Sequence, residues 1–377
     1  MAGRQGALES VGVKAEFAKS FSGRRTFVTG HTGFKGSWLA LWLHELGARV
    51  AGFGLRAPTS PSNYEASCVR DALEAEFEGD IRNEAALSAA LKKSEPEIIF
   101  HLAAQPLVRR SYAAPHETFE VNVGGTSLLL NTVRALKLRC AIVVVTTDKC
   151  YENREQVWGY RENDPMGGFD PYSASKGAAE LVVAAYRNSF FNPRTVQQHG
   201  VKLASARAGN VIGGGDWAAD RIVTDMVSAL AAGKPVPVRN PRAVRPWQHV
   251  LEPLSGYLSL AARMLESDDP RWCGAWNFGP AAGDEAPVGE LAGEFCRAWG
   301  KGTWNDCSDP AAPHEAHTLR LSIDKALWEL GWRPRWNRTE AIARTAGWYR
   351  RFHADPGQSM HGACLEHIEQ YCKRRHE

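Results

Sequence analysis

The stretch from Arg24 to Gly47, RRTFVTGHTGFKGSWLALWLHELG, constrains the fold more than any other part of the chain. A short β-branched run meets Gly30, Gly33 and Gly36 in G-x-x-G-x-x-G spacing, and an apolar segment follows that stops at Gly47. A glycine-rich turn between a buried strand and a helix opens a βαβ unit. The alternation continues with ARVAGFGL, a helix near 83–93, EIIFHLAA, AIVVVTT and the long helix in SASKGAAELVVAAYRNSF. Strands alternating with helices predict an α/β fold with a Rossmann-type doubly wound parallel sheet. From about residue 206 the pattern loosens into Gly- and Pro-rich segments such as GNVIGGGDW and GKPVPVRNPRAVRPW. These predict a smaller, loop-rich C-terminal lobe, where recognition residues gather.

Charge narrows the partners. The 45 basic and 42 acidic residues are spread along the chain, with a net charge of +3, so no face is built for nucleic acid. The apolar runs are shorter than the about 20 residues a membrane span needs, and the N-terminus, with Glu9 and Glu16, resembles no targeting segment. Eight cysteines without a C-x-x-C pair argue against a disulfide framework and against a metal site, and point to reduced thiols in the cytoplasm. The expected division is a loosely held leader over 1–23, a dinucleotide-binding domain over 24–205 to which the chain returns around 244–272, and a lobe over 206–377 that carries most substrate contacts.

In TGHTGFKG the glycines allow a tight turn and close backbone approach, while the helix N-terminus offers free N–H groups to a pyrophosphate. Thr32, Phe34 and Lys35 lie among them as further cofactor contacts. The ribose side is less regular: GFGLRAP lacks the acid that usually meets a 2′-hydroxyl about 20 residues on. Arg56 there either accepts a 2′-phosphate or faces solvent. In GDIRN, Asp80 and Ile81 can meet the adenine, unless Asp80 is a turn residue.

PYSASKGAAE places Tyr172 and Lys176 four apart, on one face of a helix, so that an ammonium can acidify a phenol. With Thr147 on the strand before, the pair reads as a proton relay; otherwise Tyr172 and Lys176 only share a helix surface.

Together, TGHTGFKG, HLAAQ, Asn122 in VNVGGT, TTDK and YSASK resemble the extended short-chain dehydrogenase/reductase superfamily. VTGHTGFKGSWL, TTDKCYEN and RPWQHVLEPLSGYL are similar, more narrowly, to the CDP-glucose branch of its nucleotide-sugar 4,6-dehydratases, over most of the chain from about residue 22 to 350. That resemblance implies NAD as cofactor, CDP-glucose as substrate between two lobes, and a homodimer formed through helices. It puts Ala103, Ala104 and Gln105 beside the cofactor with Asn122. Tyr172 would take the 4-hydroxyl proton, Thr147 would bond that hydroxyl, and Lys176 would hold the ribose. Asp148 would be the acid and Lys149 the base of a water elimination across C5 and C6. A lysine is a base only when neutral, which nearby cations and desolvation favour; the alternative is a plain salt bridge between Lys149 and Asp148. The dTDP-glucose enzymes carry Glu at the position of Lys149.

For the diphosphate, Arg207, Asn210, Arg221 and Arg245 are the candidates, with Arg245 first because Pro246 and Trp247 stiffen its loop. Trp247 is either a ligand contact or core, and His249 either a contact or a satisfied buried imidazole. Gln105 and Ser111 either reach the sugar or cap the next helix. Two other functions remain in view: a sugar-nucleotide 4-epimerase, which needs no acid and base pair, and a non-catalytic dinucleotide sensor, which needs no Tyr172 relay.

Overall fold

A computed structural model gives the fold, and residues 17–309, 318–355 and 357–373 are described. Seven strands form the central sheet: β1 (Arg25–Thr29), β2 (Arg49–Gly54), β3 (Ala75–Glu78), β4 (Ile98–His101), β5 (Ala141–Val145), β6 (Lys202–Ala208) and β7 (Ala275–Phe278). Their order is β7-β6-β5-β4-β1-β2-β3, and every pairing is parallel. The order reverses between β1 and β4, so a crevice opens at the carboxyl ends of those strands.

Both faces of the sheet are covered, which is why the strands read as continuous apolar runs. Phe27 and Ile142 enter one core, Val28 and Val143 the other, and all four are fully buried. The helices that frame the site are α1 (Phe34–Glu45), α2 (Glu84–Ser94), α3 (Gly125–Ala135), α4 (Pro171–Ser189), α5 (Leu251–Glu266) and α6 (His361–Lys373). In α1 every residue from Gly36 to Leu43 is buried. A helix apolar all round needs cover on both sides. Its outer cover is α6, where His367 stacks on Trp38 at 6.0 Å and Tyr371 meets Trp42 edge-on at 5.6 Å.

The helix near 83–93 is α2, capped by Asn83 through a 3.0 Å bond from the Ala86 N–H. The leader expected over 1–23 is corrected at its end. Residues 17–21 form a helical turn, and Phe17 and Phe21, one turn apart, are both buried, Phe21 6.5 Å from the Phe100 ring. Residues 1–16 lie outside the described residues. Besides α5, which falls in the return around 244–272, two later pieces join the Rossmann layers: β7 extends the sheet beside β6, and α6 packs on α1. Among the described residues no helix is long and apolar enough to cross a membrane.

Candidate active site

At the end of β1 the backbone turns through Gly30, whose φ of +72° suits glycine and whose N–H reaches Phe53 O at 2.8 Å. A Cβ on Gly30 would sit 2.8 Å from Ala103 N, and one on Gly36 would collide with Gly30 O. Gly33 starts α1 with no side-chain cap and no acid in the first turn, so the dipole end faces outward as an anion cradle. Ala103 N is tied to Thr29 Oγ1 at 3.1 Å, and Ala104 follows it at the crevice. Thr32 donates to Leu55 O at 2.9 Å, linking the loop to the end of β2, and Phe34 points towards Gly213.

Arg56 takes the solvent-facing alternative: its side chain is 86% exposed and pairs with Glu78 at 3.1 Å. Glu78 closes β3 at that corner, so a 2′-phosphate would meet an anion as well as a cation. Asp80 is a turn residue, accepting the Arg82 N–H at 2.8 Å and pairing with its guanidinium at 2.7 Å. Ile81 is buried against Gly125 at the head of α3. These residues fit NAD better than NADP.

The relay sits at the end of β5 and the start of α4. Asp170 caps α4 through the Ser173 N–H at 2.9 Å, and Ser111 Oγ accepts the Tyr172 N–H at 3.1 Å. Burial pushes the Tyr172 phenol up to about 12, against a hydrogen bond with Thr147 and the charge of Arg221, which pull it down. Arg221 is a second cation that pulls the phenol down, and the Lys176 ammonium, one turn along the same helix, lies 3.5 Å from Val145 O. Burial lowers Lys176 to about 8, opposed by Glu180. Lys35 belongs to the same cluster. Burial brings it to about 7, helped by Arg221, Lys176 and Lys149 and opposed by Asp148.

Asp148 is 1% exposed. Its Oδ1 accepts from Thr147 Oγ1 at 2.9 Å and from Lys149 Nζ at 3.2 Å, while its Oδ2 is buried without a partner beside Gly209. Lys149 also donates to Asn210 Oδ1 at 3.3 Å. The salt bridge is therefore present, and it leaves one carboxylate oxygen open. Asn122, in the wide helical turn Glu120–Gly124, donates to Ser175 Oγ at 2.8 Å and to Gln105 O at 3.1 Å. Ser175 in turn donates to Tyr172 O at 2.7 Å, so Asn122 fixes the relay helix to the β4 loop.

Several expected ligands are framework instead. Arg207 is buried, bonded to Glu180 at 2.8 Å, to the Tyr151 hydroxyl at 2.7 Å and to Glu162 O at 2.9 Å, and its geometry excludes a phosphate role. His249 is fully buried between Trp336 at 4.8 Å and Trp38 at 6.0 Å, and burial holds its imidazole neutral. Trp247 is core. Gln105 spends its amide on Leu107 and Thr118, and Ser111 its hydroxyl on Val108 O and Tyr172 N, so both shape the segment after β4, which Ser111 ties to the start of α4. Arg221 pairs with Asp216 at 3.1 Å beside Tyr172 and Lys35.

Arg245 lies on the strand Val244–Pro246, whose Pro246 reaches Gly209 next to Asp148. Antiparallel to it runs Glu285–Pro287, and Glu285 lines a cavity of about 700 Å³ with Arg320, Ser322 and Arg333. Sequence reasoning missed this cavity and missed Glu180 and Thr146. Glu180, four residues after Lys176 on the relay face, was the available signal for the latter two.

A dinucleotide cradle, a Tyr-Lys relay and a carboxylate-amine pair on one Rossmann crevice define an extended short-chain dehydrogenase/reductase. The chain belongs to the GDP-mannose 4,6 dehydratase family, whose model matches residues 27–345. It is 52% identical to the CDP-glucose 4,6-dehydratase of Salmonella typhimurium over 330 residues, 88% of this chain and 91% of that one. It is 31% identical to a dTDP-glucose 4,6-dehydratase of Streptomyces antibioticus over 263 residues, 68% of this chain and 71% of the relative. Among solved structures it is similar to DesIV, the dTDP-glucose 4,6-dehydratase of Streptomyces venezuelae with NAD and TYD bound. That likeness has a TM-score of 0.74 and 25% identity, covering 88% of this chain and 99% of DesIV.

Proposed function

We propose that this chain is an NAD-dependent dehydratase that converts CDP-glucose to CDP-4-dehydro-6-deoxy-glucose. The observation that carries the reading is the open Oδ2 of Asp148, buried beside the Lys149 amine and the Tyr172–Thr147 relay. An epimerase needs the relay and has no use for that pair. Identity of 52% with a CDP-glucose enzyme supports the choice of nucleotide.

NAD, when bound, supplies the hydride acceptor for C4, the donor for C6 and a positive ring beside the phenol. Gly30, Gly33, Gly36 and the N-terminus of α1 hold its pyrophosphate, Ile81 flanks its adenine, and Lys176 holds the nicotinamide ribose. Tyr172 takes the proton of the sugar 4-hydroxyl, with Thr147 bonded to the same oxygen and Arg221 favouring the ionised phenol. Proton transfer from the Lys149 ammonium to Asp148 across their salt bridge leaves a neutral amine, which removes the C5 proton that the C4 ketone acidifies. The protonated Asp148 carboxyl delivers its proton to the departing C6 hydroxyl. Arg245 meets the diphosphate, and the cavity beside Glu285 has the size of a nucleoside site. Half-exposed Phe119 and exposed Leu181 on α4 suit a homodimer formed through helices, working in the cytoplasm.

Incubation with CDP-glucose and NAD⁺, followed by alkali, is expected to give the ultraviolet band of a 4-keto-6-deoxy sugar. CDP-galactose without the band would mean an epimerase, and no product a sensor. A panel of CDP-, dTDP-, UDP- and GDP-glucose tests the base.

A further inference from the structure

We propose that Glu180 is a positioning residue of this reaction: lodged between α4 and strands β5 and β6, it clamps the strand end that carries Thr147 and Asp148 and keeps Lys176 charged. The inference rests on the reading of the relay given above. Tyr172, Lys176 and Glu180 stand at i, i+4 and i+8 on one face of α4, and all three are buried, with exposures of 8%, 7% and 4%. Glu180 Oε1 accepts from Thr146 Oγ1 at 2.5 Å, and Oε2 accepts from Ser205 Oγ at 2.7 Å and from Arg207 at 2.8 Å. Thr146 directly precedes Thr147, and its N–H is also bonded to Ala206 O at 2.9 Å. The carboxylate thus joins the relay helix, the catalytic strand end and the neighbouring strand.

Lys176 has few other charges to lean on. From the turn after β5 it faces Cys150, whose thiol burial keeps protonated. From β4 it faces His101, held neutral at about 3 by burial. From the head of α1 comes Lys35, which opposes its charge and itself loses a proton near 7. Glu180 is the carboxylate that offsets part of the burial of the ammonium. Charge on Lys176 matters because the ammonium grips the ribose.

Glu180→Gln alone leaves the Arg207 charge buried without its counter-charge, which can prevent folding. The double variant Glu180→Gln/Arg207→Gln removes both charges, and Glu180→Asp keeps the anion. NAD⁺ affinity, read from tryptophan fluorescence across neutral and alkaline pH, is the primary measurement, because it needs no sugar substrate. The loss of affinity at alkaline pH is expected to begin about one pH unit lower in the double variant than in the wild type. Glu180→Asp is expected to restore the wild-type limb while lowering kcat, since its shorter arm slackens the Thr146 bond. A merely structural carboxylate would weaken binding equally at every pH. Identical alkaline limbs in the wild type and the double variant would overturn the proposal. Wild-type protein inert towards CDP-glucose would sink the functional reading alone, with the binding limbs still deciding the role of Glu180.

Discussion

Glu180 and Asp148 are both buried carboxylates, reached from consecutive residues at the end of β5, and their surroundings differ in one respect. Glu180 has donors on both oxygens: Thr146 on one, Ser205 and Arg207 on the other. Asp148 has Thr147 and Lys149 on Oδ1 and nothing on Oδ2. A buried charge with donors on both oxygens is architecture, since its hydrogen bonds are already directed at the framework. A buried oxygen left open, next to a glycine where a side chain would collide with it, is held for something that arrives later.

The comparison is broken most directly at the open end. Asp148→Asn keeps the shape and removes the proton. It should lower kcat for the dehydrated product by about a hundred- to ten-thousandfold, with a thermal midpoint close to wild type. A loss under tenfold, or unfolding in step with the loss of activity, would erase the distinction drawn here.

The cations of the two pairs give the next contrast. Arg207→Met strands Glu180 in the core and should cost about 3–5 kcal/mol of stability, measured by denaturant titration. Lys149→Met removes the partner of Asp148, but that amine is 30% exposed and should cost much less. Its signature is chemical: NAD⁺ is still reduced on mixing with CDP-glucose, and dehydrated product falls away. Equal loss of both half-reactions would show that Lys149 serves the oxidation as well.

The contrast between Arg207 and Asp148 also explains what the sequence disclosed. The glycine loop, the strands and the Tyr172–Lys176 spacing are local patterns, set by a few consecutive residues, and they were legible. Arg207 reads as a phosphate ligand because its real partner, Glu180, lies on a different element and meets it only across the sheet. His249 was ambiguous for the same reason: its cage, Trp38, Trp336 and His367, is drawn from three distant segments. Even α1 announced that both its sides are covered, through its unbroken apolar run, without saying that α6 would be the cover.

Buried groups kept neutral sharpen the comparison from another side. His101, His249 and His367 are held unprotonated, His101 to about 3 and His367 to about 4, chiefly by burial. Each folded pKa lies below the unfolded value, so the unfolded chain binds protons first, and stability present above pH 6.5 is lost as the pH falls. Glu252, raised to about 7 by burial, runs the opposite way and is stabilising when protonated. The three buried histidines outweigh Glu252, so stability is expected to fall with pH between about 6.5 and 4.5. Urea midpoints that stay level over that interval would show these sites to be wetter than their packing indicates.

The smallest effect belongs to a pair that is neither buried nor open. Arg56 and Glu78 are 86% and 62% exposed, so solvent and salt weaken their attraction. Arg56→Ala should change NAD⁺ affinity by less than about threefold. Glu78→Gln, by contrast, leaves Arg56 unopposed at the corner where a 2′-phosphate would lie, and should improve NADP⁺ binding by about threefold to tenfold. Titrating both cofactors into both variants decides the matter. A tenfold loss of NAD⁺ affinity in Arg56→Ala would put this guanidinium on the cofactor.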